Sequence, residues 1–313
     1  VSDLELVEVV SSPPHSVRRS LSAGAITALV GINLLWSAST VASKNALDVF
    51  GPLTLTALRF APAGLILLGM ARAQGRFPEV RRRDWSDFCL LALLGIVLTY
   101  GIYYTGVART TASEAVLLTA CEPILIALFA RIFLRETLSR QQWIGLWVGL
   151  AGIWLIVGRG SAGNVIALAA LCIEATTSVT AKRLTSRYPG LFVVAIEMLL
   201  GSLLLLPGVG WELAHHHPTV SWGVAGSVLY LSLICSALGY GVWFRLMERY
   251  PVSVLGAFIL IQPLFGPLSG WLFRHEALTT RGALGAALVI FGVALNALRR
   301  PKAETVQPIE ERL

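Results

Sequence analysis

Arg59, Glu122, Glu174 and Glu197 are the residues of this chain best placed to do chemistry, because each stands within a long apolar run. An ionised side chain facing hydrocarbon costs roughly 2.5–3.5 kcal/mol or more, so each must face protein or a water-filled cavity. A carboxylate so placed can hold an ammonium group or carry a proton, and a guanidinium can hold an anion. Glu122 and Glu174 have the more functional setting. Asn33, Ser37, Thr40 and Lys44 recur at helical intervals in the first run, and Glu174, Thr177, Ser178 and Lys182 do so in a later one. Such stripes line wet cavities or bond helix to helix. Arg59 and Glu197 have no stripe, and their types favour structural bonding that holds helices in register.

Pro123 and Pro263 directly follow Glu122 and Gln262. A proline inside a helix has no N–H and leaves the carbonyl four residues earlier without its donor. Broken backbone at membrane depth is tolerated where neighbours or cavity water satisfy it, so both positions are candidate kinks able to absorb gating motion. Aromatic residues gather in matching places: Trp36, then Tyr100, Tyr103 and Tyr104, then Tyr240, Trp243 and Phe244. Those near run ends suit a membrane–water interface. Trp36 and Tyr100 lie deeper, where a ring can stack on a flat or cationic substrate.

Together Asn33, Trp36, Ser37, Thr40, Tyr100, Tyr103, Glu122, Glu174, Ser178, Tyr240 and Gln262 form the candidate substrate site. Arg59, Pro123, Glu197 and Pro263 form the structural and gating set. There is no Walker loop, nucleophile elbow or HExxH, so no enzyme is expected. Cys89, Cys121, Cys172 and Cys235 fall in four different apolar runs without metal-ligand spacing and read as packing residues. His215, His216 and His217 lack the carboxylates or cysteines of a metal site. No cofactor, metal or nucleic acid is expected.

The elements holding these residues follow from composition. The chain has 313 residues, 55% hydrophobic and only 14% charged, against roughly 25% charged in an ordinary soluble domain. Mean hydropathy is +0.71. A soluble surface cannot be covered with so little charge. A spanning helix needs about 20 apolar residues, and ten runs qualify: 21–43, 52–71, 85–108, 111–134, 142–157, 164–181, 189–208, 220–244, 251–273 and 282–298. The N-terminal residues 1–20 and the tail 299–313 are polar, and the first run is read as a retained span.

Charge gives orientation. One set of alternate connectors, with the two tails, holds 19 of the 25 Lys and Arg, the other set holds 5, and Arg59 lies inside a run. The positive-inside rule then puts both termini in the cytoplasm of a bacterial inner membrane. This bias also accounts for the net charge of +7.

The chain repeats itself. A shift of 138 places Val41 on Val179, Lys44 on Lys182 and Leu53 on Leu191. A shift of 140 places Tyr100 on Tyr240, Pro123 on Pro263, Glu136 on Glu276 and Gly152 on Gly292. Residues 21–158 and 159–298 are thus two five-span repeats. An odd span number forces the second copy to cross upside down. Inverted repeats characterise secondary transporters, with the site near the midplane between copies. Gly145, Gly149, Gly282 and Gly285 predict close helix packing.

The stretches "LLWSASTVASKNAL", "LTALRFAPAGLILL" and "ASEAVLLTACEPILIALFARIFLRETLSRQQWIGLWVGLAGIWLIV" resemble the drug/metabolite transporter superfamily of EamA type. Glu122 stands where that family has an apolar residue, and Arg135 and His275 where it usually has glycine. The resemblance implies an all-α polytopic membrane protein of ten helices that exports small metabolites by alternating access. Within the superfamily the chain most resembles bacterial aromatic amino-acid exporters of the YddG type, given its deep aromatics and its three carboxylates against one guanidinium. Amino acids or related amines are the expected substrates, the lipid bilayer the expected partner and a monomer the expected state. A multidrug exporter of cationic compounds is the alternative within the fold, and an ion channel the alternative outside it.

Overall fold

The computed structural model describes residues 21–122, 124, 125, 128, 140–157, 161–215, 218–250, 255–277 and 279–297, without the side chains of Gln142, Val157, Ser178, Val179, Lys182, Ala257, Asn296 and Ala297. Pro123 and the Ser178 side chain therefore lie outside the described residues. All regular structure described is helical, and five helices are long and apolar enough to cross a membrane: Ala23–Leu47, Pro52–Ala73, Arg82–Ala108, Gly190–His215 and Trp222–Arg249. Helices Ala112–Leu118, Arg140–Val157, Ala162–Thr185, Ile261–Arg274 and Thr280–Ala297 occupy the places of the other five runs. The chain is an all-α polytopic membrane protein. Its outer surface fits that solvent: Leu65, Trp147, Trp154, Leu203 and Phe273 are each at least 60% exposed, a pattern that water would penalise and hydrocarbon accepts.

Local chemistry starts and stops the helices. Ser22, Thr111 and Ser221 cap their helices by accepting the N–H of Ala25, Glu114 and Val224. Pro52 opens the second span, where its missing N–H costs nothing. Glu212 reaches back from the seventh span to accept Leu53 N–H (3.0 Å), Thr54 N–H (2.8 Å) and the Thr54 hydroxyl (2.7 Å). Glu276 does the same for Ala112 N–H (3.0 Å) and Ser113 N–H (2.8 Å). A carboxylate at a helix N-terminus satisfies orphan donors and opposes the dipole. Glu276 can do so because the ninth span ends in a left-handed residue, His275 at φ 54°, a conformation that glycine would adopt without strain.

Glycines set the closest crossings, as their spacing predicts. A Cβ on Gly152 would lie 2.6 Å from Gly285 O, and one on Gly292 would lie 2.5 Å from Gly145 O. The fifth and tenth spans therefore touch backbone to backbone. The second and seventh spans also pair, with Gly64 against Met198 and Leu199.

Three kinds of departure from regular α-helix surround the centre. The first span bends at Ala38, between helices Ala23–Ser37 and Ser39–Leu47. There Ser37 and Ser39 hydroxyls donate to Asn33 O (2.8 Å) and Trp36 O (2.6 Å), competing with the backbone ladder. The third and eighth spans each carry a π-helical segment, Leu93–Leu98 and Tyr230–Tyr240. A shift of 140 lays one within the other. The fourth and ninth spans tighten to 3₁₀ turns, Thr119–Cys121 and Ala257–Leu260, just before Glu122 and Gln262. Pro263 thus sits in the first turn of helix Ile261–Arg274, where its lost N–H is an orphan anyway. The expected kink is a change of helix type upstream of the proline.

Candidate functional site

These departures enclose a central cavity of about 150 Å³. Its wall takes Trp36, Ser39 and Thr40 from the first span, Arg59 from the second, Thr99, Tyr100 and Tyr103 from the third, and Thr119 and Glu122 from the fourth. The second repeat supplies Glu174 and Thr177, Glu197, Tyr240 and Trp243, and Gln262. Both repeats contribute, so the cavity lies between them. It continues past Leu91, Ala181 and Met247, toward the end of the bundle that carries Arg81, Arg183 and Arg249. At the opposite end the spans are tied together. Lys44 Nζ donates to Val107 O (2.9 Å), Ala108 O (2.9 Å) and Thr110 O (2.6 Å). Arg274 donates to Asn45 (2.5 Å) and pairs with Asp48 at 3.2 Å.

The aromatic residues form one connected set. The Trp36 ring lies 5.3 Å from Tyr240 and 5.8 Å from Trp243, and its N–H donates to Cys235 O at 2.8 Å. Phe60 stands edge-on to Tyr100 at 4.6 Å. The Tyr100 and Tyr240 hydroxyls bond to each other across the repeat boundary. Arg59 is only 4% exposed. Its Nε donates to Ser236 (2.8 Å) and its Nη1 to the Tyr104 hydroxyl (2.7 Å). The guanidinium carbon stands 4.9 Å from both the Phe60 and Tyr100 ring centroids.

The wall therefore gathers Trp36, Thr40, Tyr100, Tyr103, Glu122, Glu174, Tyr240 and Gln262 of the expected site. Asn33 and Ser37 are buried behind it. Asn33 donates to Leu29 O (2.8 Å) and accepts from Gln262 Nε2 (3.0 Å). Ser37 lends its carbonyl to Ser269 at 3.3 Å. Their stripe serves helix contact, while Thr40 one turn on is buried with no partner for its hydroxyl among the described residues. Arg59 and Glu197, read from sequence as structural, both line the cavity. The sequence reading missed Ser39, Thr99, Thr119 and Thr177 as wall residues. The repeat could have flagged Thr177, which follows Glu174 as Ser39 follows Trp36. Nothing flagged Thr99, whose hydroxyl bonds Leu94 O at 2.7 Å across the π-helical segment.

Comparison with known proteins agrees with this architecture. The chain matches the EamA-like transporter family twice, over residues 23–158 and 161–298. It is 27% identical to the Bacillus subtilis transporter YvbV over 84% of this chain and 88% of that one. It is 28% identical to a probable terminal-alkyne amino-acid exporter of Streptantibioticus cattleyicolor, covering 87% and 92%. It is 23% identical to an S-adenosylmethionine/S-adenosylhomocysteine transporter of Chlamydia muridarum, covering 83% and 87%. A crystal structure with 24% identity superposes at a TM-score of 0.64 over 89% of this chain and 98% of that one, which speaks for the fold.

Proposed function

Because the chain belongs to the EamA-like transporter family, a family of transporters and not of enzymes, we propose that it exports amino acids, aromatic ones among them, by alternating access around the central cavity. The observation that carries this reading is the convergence of Trp36, Tyr100, Tyr240 and Trp243 with Glu122, Glu174 and Glu197 in one cavity between the repeats. Ring faces suit an aromatic or apolar side chain, and carboxylates suit an ammonium group. A volume near 150 Å³ is on the scale of a single ring, since an engineered cavity of about 150 Å³ holds benzene. A sugar-phosphate or nucleotide-sugar carrier needs several cations at this depth, and among the described residues Arg59 is the one cation in the cavity wall.

The relatives support the amine-bearing class. One is named an amino-acid exporter and another a transporter of S-adenosylmethionine, a compound with an α-amino-acid head. The lysine and arginine distribution supports both termini in the cytoplasm of a bacterial inner membrane. With that orientation the cavity extends inward, and the ties of Lys44 and Arg274 close the outer end.

Counter-flow in proteoliposomes tests the reading. Saturable exchange of neutral amino acids is expected, fastest for aromatic ones, with little exchange of sugar phosphates. Robust phosphate-ester exchange without amino-acid flux would sink it. Repeating the assay with and without a pH gradient separates proton-coupled from downhill transport.

A further inference from the structure

Arg59 is a buried cation with no anion of its own. Among the described residues it forms no ion pair, its Nε and Nη1 bonds go to the neutral hydroxyls of Ser236 and Tyr104, and the Phe60 and Tyr100 rings flank its guanidinium carbon. Buried charges are normally paired, because an uncompensated one carries the full desolvation cost. Here the guanidinium also lines the cavity, in a wall that holds Glu122, Glu174 and Glu197. A guanidinium and carboxyl groups that line one chamber without forming an ion pair among the described residues leave complementary places for a ligand carrying both signs.

Resting on the amino-acid reading above, we propose that Arg59 is the anchor for the substrate carboxylate, its free Nη2 edge presented to the cavity, while the glutamates take the ammonium group. The transported class is then the zwitterionic α-amino acid rather than the simple amine. The anchor is pre-organised. Tyr104 and Ser236 fix two sides of the fork from two other spans, and the rings of Phe60 and Tyr100 fix its plane, so little rotamer freedom remains to be lost on binding. A carboxylate accepting from Nη2 makes a charge-assisted bond in a site shielded from water.

The test uses the wild-type protein in proteoliposomes with radiolabelled phenylalanine. Unlabelled phenylalanine, its methyl ester and phenethylamine serve as competitors. Phenylalanine should compete about 10- to 100-fold better than the ester or the amine, as expected for one charged hydrogen bond. In Arg59→Gln the ratio of kcat/KM for phenylalanine to that for phenethylamine should fall by a similar factor. Labelled flux for which ester and amine compete as well as the amino acid overturns the Arg59 assignment and leaves the amino-acid reading standing. Transport of phenethylamine without any phenylalanine flux overturns both. If Arg59→Gln fails to fold, the wild-type competition series decides alone. Equal loss for both substrates in a folded Arg59→Gln variant overturns the assignment, because a purely structural arginine would give that result.

Discussion

The hydroxyls of Tyr100 and Tyr240 are hydrogen-bonded to one another, and the two residues are 140 apart in sequence, the offset that superposes the two repeats. Each follows or ends a π-helical segment, Leu93–Leu98 or Tyr230–Tyr240. Segments of this kind turn the following helix face and recur at functional sites. The pseudo-symmetry thus meets at a single side-chain bond in the cavity wall. Under the alternating access proposed above the repeats would move against each other, and this bond would join the two halves.

That relationship predicts a non-additive pair. Tyr100→Phe and Tyr240→Phe should each change transport rate, and the double variant should resemble either single one, because each hydroxyl acts through the other. A double-mutant cycle on initial rates should give a coupling of about 0.5–3 kcal/mol. Strict additivity would mean that the two hydroxyls serve unrelated partners.

Glu122 and Gln262 hold equivalent places before their prolines, yet only Glu122 can ionise. Glu122→Gln should cut the initial rate of uptake by about tenfold or more, since an amide replaces a charge-assisted acceptor for the substrate ammonium. Gln262→Ala should act on stability instead, because it leaves Asn33 Oδ1, in a fully buried residue, without its donor. Uptake into proteoliposomes from matched amounts of monodisperse protein, across pH 5.5 to 8, checks the pair. A Glu122→Gln variant that transports like wild type at every pH would make the residue a packing element and move attention to Glu174.

Glu212 ties the start of the second span to the end of the seventh through three hydrogen bonds. Glu212→Ala should lower stability by about 1–3 kcal/mol, the cost of a lost cap with buried donors left unpaired. The melting midpoint in detergent should drop accordingly. An unchanged midpoint would show that backbone donors at Leu53 and Thr54 find other acceptors.

His275 holds a left-handed conformation at φ 54°. His275→Gly should raise stability by about 0.5–1 kcal/mol, since glycine enters this region without a Cβ penalty but loses more freedom on folding. The same thermal measurement reads it. Destabilisation would mean that the imidazole contributes bonding worth more than the relieved strain.

Topology is open to labelling. A cysteine replacing Trp211, which is 62% exposed, should react with impermeant maleimide added to intact cells in a cysteine-free background. One replacing Arg82 should react only after lysis. The reverse pattern would invert the orientation and overturn the proposal of export.

The sequence by itself determined the membrane fold and pointed to most of the ionisable and aromatic residues of the candidate site. Lipid offers no hydrogen bonds, so each span must be a long apolar helix, and any ionisable residue inside one stands out against it. Duplication then made Tyr100 and Tyr240 findable as a pair, and placed Glu122 opposite Gln262. Only the tertiary structure decided which of these side chains meet. Asn33 and Thr40 share one stripe on one span, but the break at Ala38 puts them on two helices, with Thr40 in the cavity wall and Asn33 bonded to Gln262. Arg59 reads alike as a structural or a binding cation until its contacts with Tyr104 and Ser236, 45 and 177 residues away, show which of its donors are occupied. The π-helical segments carry no hydropathy signal, yet they set where Thr99 and Tyr100 point. Helical periodicity fixes neighbours within a span, whereas the face a span shows to the cavity depends on its bends and on packing against partners far along the chain.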